Sequence, residues 1–296
     1  MNSGHRRSEI TLRNGDLAVR VSRHGGAITC AEYRTKPFLV AAGGPDGTMA
    51  SFPLVPFGNR VEGNAMSFNG HDYRFKPNSP DPLYLHGDGW LGLWGVEEES
   101  SQRLRLSLSR TADEVSPYGY LARQEVAISG NTLVLDLSVK NRGDAALPFG
   151  LGLHPFFSRT PKTRLTAAAQ TFWSERDGHL PGERQAMPDI LCFADGKTLP
   201  RGSVNNAFEG WNGHALIVWP EFGHQAALDA DPVFNRYMIY MPIEPTDFFC
   251  FEPMSHLPNG HRMKDLGGLT VLAPGESLSG RITIRLSPLT AKFREV

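Results

Sequence analysis

Cysteine is scarce in this chain. There are three, Cys30, Cys192 and Cys250, in 296 residues. None belongs to a C-x-x-C pair, which excludes a zinc ribbon or a dithiol redox motif, and an odd, scattered count suits a reducing compartment. Charge of one sign is also lacking: 30 Lys and Arg stand against 31 Asp and Glu. A nucleic-acid binder carries a basic excess, so no nucleic-acid partner is expected. No apolar run approaches the ~18 residues of a membrane span, so no membrane association is expected. The first residues, MNSGHRRSEITLRNGD, are charged and have no apolar core, unlike a signal peptide. These absences describe a soluble, cytoplasmic protein. Helical periodicity is missing too, as are the G-x-S-x-G elbow and the phosphate-binding G-x-x-x-x-G-K-[ST] loop.

What is abundant is turn chemistry. The chain has 31 glycines and 22 prolines, above the roughly 12% of average usage. Between the turns the apolar period is two. Leu104, Leu106 and Leu108 alternate with polar residues, Leu133, Leu135, Leu137 and Val139 share one face of the next segment, and Ile282, Ile284 and Leu286 do the same later. Val19 with Val21, and Met238 with Tyr240, show the same pattern. Such alternation puts one strand face on a core and the other toward water. Asn14-Gly15, Asn69-Gly70 and Gly130-Asn131 mark hairpin turns. The expectation is an all-β, mostly antiparallel fold of two large packed sheets. Pro77–Pro82 and Asp177–Ser203 read as loops. With no linker and no repeat, residues 1–296 are taken as a single domain.

Four segments depart from strand grammar: FGNRVEGNAMSFNG (57–70), LHGDGWLGLW (85–94), GLGLHPFF (150–157) and FCFEPMSHLPNG (249–260). Glu252 follows an apolar run and precedes Pro253, where a charge is costly unless paired or used. It reads either as a strand-end carboxylate or as a general base. His154 lies between two glycines and Pro155, and is either a core histidine or a proton donor. His86 opens a His-Gly loop. Arg60 is either a surface ion pair or a fork for vicinal hydroxyls. Trp90 and Trp94 are core or a sugar platform. The histidines lack the spacing that holds two metal ligands on one helix, so no metal is expected.

In order and spacing, Asn59-Arg60, Leu85-His86-Gly87, His154-Pro155-Phe156-Phe157 and Phe251-Glu252-Pro253 resemble the motifs of the aldose 1-epimerase (galactose mutarotase) family. The resemblance runs from about residue 10 to 286. His86–Trp90 (H-G-D-G-W) and Glu252–His256 (E-P-x-S-H) look most like its bacterial members. The resemblance implies a large antiparallel β-supersandwich and interconversion of the α and β anomers of a free aldose without a cofactor. It places the general base at Glu252 and the general acid at His154, with Arg60 and His86 in substrate binding. Related proteins carry an aspartate before the F-x-G-W stretch, and the aligned position here is Asn205, a further substrate-binding candidate. On that reading, Asn205→Asp would lower KM for common hexoses. A non-catalytic carbohydrate-binding or sugar-sensing protein on the same fold is the alternative. A mutarotase for a phosphorylated sugar is a third, resting on Arg60 and Arg123. The partner implied is a small-molecule sugar.

Overall fold

Residues 9–243 and 246–289 are described by a computed structural model of the chain. Period two sorts the side chains as the sequence requires. Leu104 and Leu106, Leu133 to Val139 at alternate positions, and Ile282, Ile284 and Leu286 are all buried. Asn69 and Gly70 both take positive φ, 51° and 78°, and join the antiparallel strands Ala65–Phe68 and His71–Arg74. That conformation is the one a two-residue hairpin turn needs, and Asn-Gly reaches it with least strain.

The strands assemble into two large sheets. The first has twelve strands. Its main spatial order is Glu9–Asn14, Leu17–Ser22, Ile28–Tyr33, Lys36–Leu39, Phe156–Ser158, Phe248–Met254, Arg236–Met241, Val204–Glu209, Thr171–Arg176 and Leu180–Gln185. The short strands Pro53–Leu54 and Gly152–Leu153 attach beside Phe248–Met254. The second sheet has nine strands and includes Arg103–Arg110, Tyr120–Ser129, Thr132–Asn141 and Ser277–Pro288, paired antiparallel. One cluster of buried apolar residues, from Ile10 to Leu286, draws on both sheets. No helix among the described residues is long and apolar enough to cross a membrane.

The strand Phe248–Met254 shows how this frame makes a site. Phe249 and Phe251 join the large cluster, whereas Cys250 and Met254 join a second, smaller one. Tyr237 and Ile239 of the neighbouring strand go with the first, Met238 with the second. Alternate residues therefore face opposite sides of the sheet. The Met238–Tyr240 pattern marks the side that lies under loops, away from the inter-sheet core. Glu252 shares that side, opposite Met238. It stands inside a strand that continues to Met254, not at the strand's end as the Pro253 signal suggested.

The region 177–203 is not only loop. It contains the strands Leu180–Gln185 and Phe193–Thr198. Each lies at the edge of its sheet. Edge strands pair on one side only and tolerate Pro, Gly and charge, so they lose the alternation that reveals central strands.

Buried histidines fasten the covering loops. His256 Nε2 accepts the Gly58 N–H at 2.9 Å, while its Nδ1 lies 2.8 Å from the Leu257 carbonyl and so carries the proton. Gly150 leaves the space this ring occupies, since a Cβ there would collide with it. The Tyr118 hydroxyl donates to the Pro148 carbonyl at 2.6 Å and therefore accepts from His261 Nε2 at 2.9 Å. Burial pushes His256 down to about 4 and His261 down to about 3. The unfolded chain takes up these protons near the ordinary 6.5, which the folded chain resists. Their stabilisation is complete above that value and is lost as pH falls from there toward 4. Between pH 7 and 5 the loss is about 2 kcal/mol per histidine. Urea unfolding at both pH values is expected to show that fall, and His256→Gln is expected to reduce it. An equal pH dependence in the variant and the wild type would exclude this role.

Candidate active site

The five residues singled out from sequence, Arg60, His86, His154, Asn205 and Glu252, line one cleft of ≈ 200 Å³, together with Asn59, His179, Met238 and Tyr240. This is below the ~300–1,000 Å³ of pockets for drug-sized ligands, a size that suits a single small ring. Two larger hollows, ≈ 420 and ≈ 480 Å³, lie elsewhere. The first is lined by charged groups that satisfy one another, such as Arg105 with Glu125 and Arg281 with Asp136. Arg123 belongs to that hollow and pairs with Glu97 at 3.0 Å, so it lies outside the cleft.

Glu252 and His154 meet at the buried end of the cleft. His154 Nε2 is 3.4 Å from Glu252 Oε1, and the two residues are 7% and 2% exposed. The His154 ring stacks on both Phe52 and Phe156, each with its centroid 4.7 Å away, and those two rings contact each other at 6.2 Å. Its backbone N–H donates to the Phe52 carbonyl at 3.0 Å. The neighbouring glycines leave room for protein rather than ligand: Gly150 for His256, and Gly152 for Leu54 and Met254. Burial pushes Glu252 up to about 8, with the nearby Arg60 charge acting in the opposite direction. Burial pushes His154 down to about 3. Both directions have one cause: a dry site disfavours the charged form of each group. The pair therefore rests as one carboxylic acid and one neutral imidazole, with a single proton to move.

His86 takes a positive φ of 60°, a conformation a histidine adopts only under constraint. The constraint is visible. Its N–H donates to the Asn59 carbonyl at 2.9 Å, and its Nδ1 accepts the Asn59 N–H at 3.1 Å. Asn78 Nδ2 donates to the carbonyls of Leu85 and Gly87. With Nδ1 an acceptor, the neutral ring carries its proton on Nε2, which leaves a donor for the cleft. Burial, then His154 and Arg60, hold its pKa well below the usual range, so it stays neutral. In the same loop, buried Asp88 is fixed by the Tyr120 hydroxyl and by Arg110 Nε at 3.0 Å. Trp90 and Trp94 are buried, with indole N–H groups donating to loop carbonyls. They are scaffold rather than a sugar platform, and the apolar part of the cleft lining is Met238 and Tyr240.

Arg60 meets both of its sequence-level readings. Its guanidinium pairs with Asp81 at 2.7 Å, and it lines the cleft. Asn205 also lines the cleft, but its amide is engaged. Nδ2 donates to Glu175 Oε1 at 2.7 Å, and His179 Nδ1 reaches the same oxygen at 2.6 Å. A carboxylate at position 205 would face another carboxylate, which alters the expectation for Asn205→Asp. Glu175 and His179 gave no motif, because they flank the turn into an edge strand. Cys250 was noted only for what its spacing excludes. Its sulfur lies with a His154 nitrogen and a Glu252 oxygen, all within 4.8 Å of one another. This trio is where a cation would fit best. Two features work against a resident metal: burial holds the Cys250 thiol well above its usual range, and the His154 Nδ1 that would be fixed by an outer partner has none.

An uncharacterized protein, YphB, of Escherichia coli (strain K12) is 41% identical over 288 residues, 93% of this chain and 98% of that protein. The crystal structure of a candidate aldose 1-epimerase from E. coli K12 superposes with a TM-score of 0.90 at 39% identity, covering 95% of this chain and 99% of that one. The structure of a galactose 1-epimerase from Lactobacillus acidophilus NCFM shares the fold, with a TM-score of 0.78 at 17% identity over 95% of each chain. The sequence pattern of the aldose 1-epimerase family matches residues 8–285, and the chain belongs to that family.

Proposed function

We propose that this chain is a mutarotase that interconverts the α and β anomers of a free, unphosphorylated aldose, using Glu252 and His154 as its acid–base pair and no cofactor. The observation that carries this reading is the pair itself: two titratable groups 3.4 Å apart, buried, and shifted in opposite directions from their ordinary values. Binding alone does not need such a pair. The cluster that joins both sheets supports one domain over the described residues. Three cysteines free of disulfides support a reducing, cytoplasmic setting.

The reaction needs one proton removed from the anomeric hydroxyl and one delivered to the ring oxygen. The C1–O5 bond then breaks to give the open-chain aldehyde. Rotation about C1–C2 presents the other face of the carbonyl. The ring oxygen attacks C1, and both protons return. Glu252 as carboxylate and His154 as imidazolium perform these steps in the order the family resemblance implies. The neutral pair favoured by burial performs them with the roles exchanged. Both forms hold the same number of protons, so one pH dependence covers both. His86 Nε2–H and the Arg60 fork supply donors to sugar oxygens. Neither Arg60, already neutralised by Asp81, nor Arg123, outside the cleft, provides a spare cation for a phosphate. This favours neutral sugars.

Polarimetry or NMR on freshly dissolved glucose, galactose, xylose, arabinose and a hexose 6-phosphate tests the reading. Accelerated equilibration of the neutral sugars is expected. A protein that binds sugar and leaves the rate unchanged would support the carbohydrate-binding alternative. Glu252→Gln preserves shape and is expected to lose at least ~100-fold in kcat, with His154→Asn similarly impaired. More than about a tenth of wild-type activity in Glu252→Gln would remove it from the chemistry.

The pH profile follows from the shared proton. Above about 8 Glu252 gives it up, and only near 3 does His154 take a second. We therefore expect kcat/KM to be level from about pH 5 to 7 and to fall roughly tenfold per unit on the alkaline side. No fall by pH 9.5 would contradict a proton held on this pair. Dialysis against EDTA is expected to leave activity unchanged, and a loss restored by Zn²⁺ would assign the His154–Cys250–Glu252 trio to a metal.

A further inference from the structure

At the far end of the cleft, Asn205 is joined by Glu175 and His179, which neither the motifs nor the family resemblance assigns. In the ladder between Thr171–Arg176 and Val204–Glu209, Trp173 pairs with Ala207. Beyond that pair the strand is irregular between Trp173 and Glu175, and Glu175 meets Asn205 through its side chain. The chain then turns through Asp177 and Gly178 to His179, held at a positive φ of 57°. That turn brings His179 back over Glu175. Asn205 Nδ2 and His179 Nδ1 converge on the single oxygen Glu175 Oε1, at 2.7 and 2.6 Å.

This convergence fixes what each group can offer a ligand. The only hydrogen-bonding role left to the Glu175 oxygen is acceptor, so Asn205 presents its amide nitrogen inward and its Oδ1 outward. His179 carries a proton on Nδ1 in either charge state, which leaves Nε2 unengaged. Both His179 and Asn205 line the same cleft as Glu252. Glu252 and Asn205 lie on strands separated by one other, Arg236–Met241, about 10 Å at the usual ~4.8 Å strand spacing. A sugar with its anomeric carbon at the Glu252–His154 end therefore directs its remote hydroxyls toward Asn205 and His179.

We propose that His179 and Asn205, both held by Glu175, form a second recognition point that binds hydroxyls of the aldose remote from its anomeric carbon. The inference rests on the mutarotase reading for the orientation of the sugar. The family's carboxylate is not simply lost at position 205. Its charge stands one strand further out, at Glu175, where it orients an amide and an imidazole in place of making one contact itself. His179 is a specificity-determining residue of this chain, acting on binding and not on proton transfer.

The test is a hydroxyl-deletion scan. KM and kcat are measured for the aldose that the wild type turns over fastest and for its 3-, 4- and 6-deoxy analogues. The proteins are wild type, His179→Ala, His179→Asn and Glu175→Gln. Asparagine tolerates the left-handed backbone, so the turn is kept while the reach of Nε2 is lost. The histidine variants are expected to raise KM by about threefold to tenfold, the range of one neutral hydrogen bond, with kcat within twofold. The effect should vanish for the analogue that lacks the contacted hydroxyl, because two deletions of one contact are not additive. Glu175→Gln should raise KM in the same direction, and Asn205→Asp should raise rather than lower it. An unchanged KM, an equal rise for every analogue, or a fall in kcat alone would overturn the proposal. If the wild type turns over no aldose, the mutarotase reading fails. The same scan is then read as Kd by ligand-observed NMR on the wild type, and it decides the recognition point separately. Failure of any sugar to bind overturns both.

Discussion

A carboxyl group with 2% exposure and no full ion pair is the constraint around which this molecule is arranged. Glu252 occupies a central strand of the twelve-stranded sheet, on the face away from the inter-sheet core. Among the described residues, its one titratable neighbour within salt-bridge range is a histidine that is itself buried. An isolated ionised carboxylate in such a place is costly, and the group responds by keeping a proton. The neighbouring imidazole, equally dry, responds by refusing one. What would be an unsatisfied defect in an ordinary core becomes a pair poised to pass one proton in either direction. Arg60 tempers this without abolishing it, because its own charge is spent on Asp81.

Keeping such a pair dry while leaving it reachable requires loops of unusual rigidity. Three asparagines or histidines around the cleft, Asn59, His86 and His179, adopt positive φ, at 63°, 60° and 57°. These residue types tolerate the left-handed region better than most, yet each still needs to be held there. Asn59 and His86 hold each other through two hydrogen bonds. His179 is held by Glu175. Behind them, His256 receives the Gly58 N–H and fixes the segment that leads into Asn59. The cleft is thus shaped by backbone locked from both sides, and catalysis by positioned acid–base groups needs that preorganisation.

Much of this was legible in the sequence, for a physical reason. Central strands bury one face, so Leu104–Leu108, Leu133–Val139 and Ile282–Leu286 reveal themselves by alternation, and Asn69-Gly70 reveals its turn. The residues of the cleft's buried end sit in apolar strands, so Glu252 and His154 stand out against Phe251 and Phe156. Legibility ends where contrast ends. Leu180–Gln185 and Phe193–Thr198 are edge strands that mix polar residues with Pro, Gly or Ala, and look like loop. Cys250 sits among apolar residues and looks like core. Glu175 and His179 lie in polar surroundings, where one more polar residue is invisible, and only the folded chain brings them to Asn205.

That last case bears on how a charge is relocated in a sheet. The side chains at 205 and 175 meet at 2.7 Å, close enough for one to stand in for the other. On the proposed reading, a carboxylate at 175 in place of one at 205 leaves the local field similar in sign while it changes the geometry of contact. The direct acceptor becomes an amide oxygen, weaker than an ionised one. In exchange an imidazole is recruited to the rim, and its reach and its turn are set by the same Glu175 oxygen that orients the amide. On that reading the acid stands at Glu175, and the recognition chemistry passes from one charged contact to an amide and an imidazole held by one oxygen.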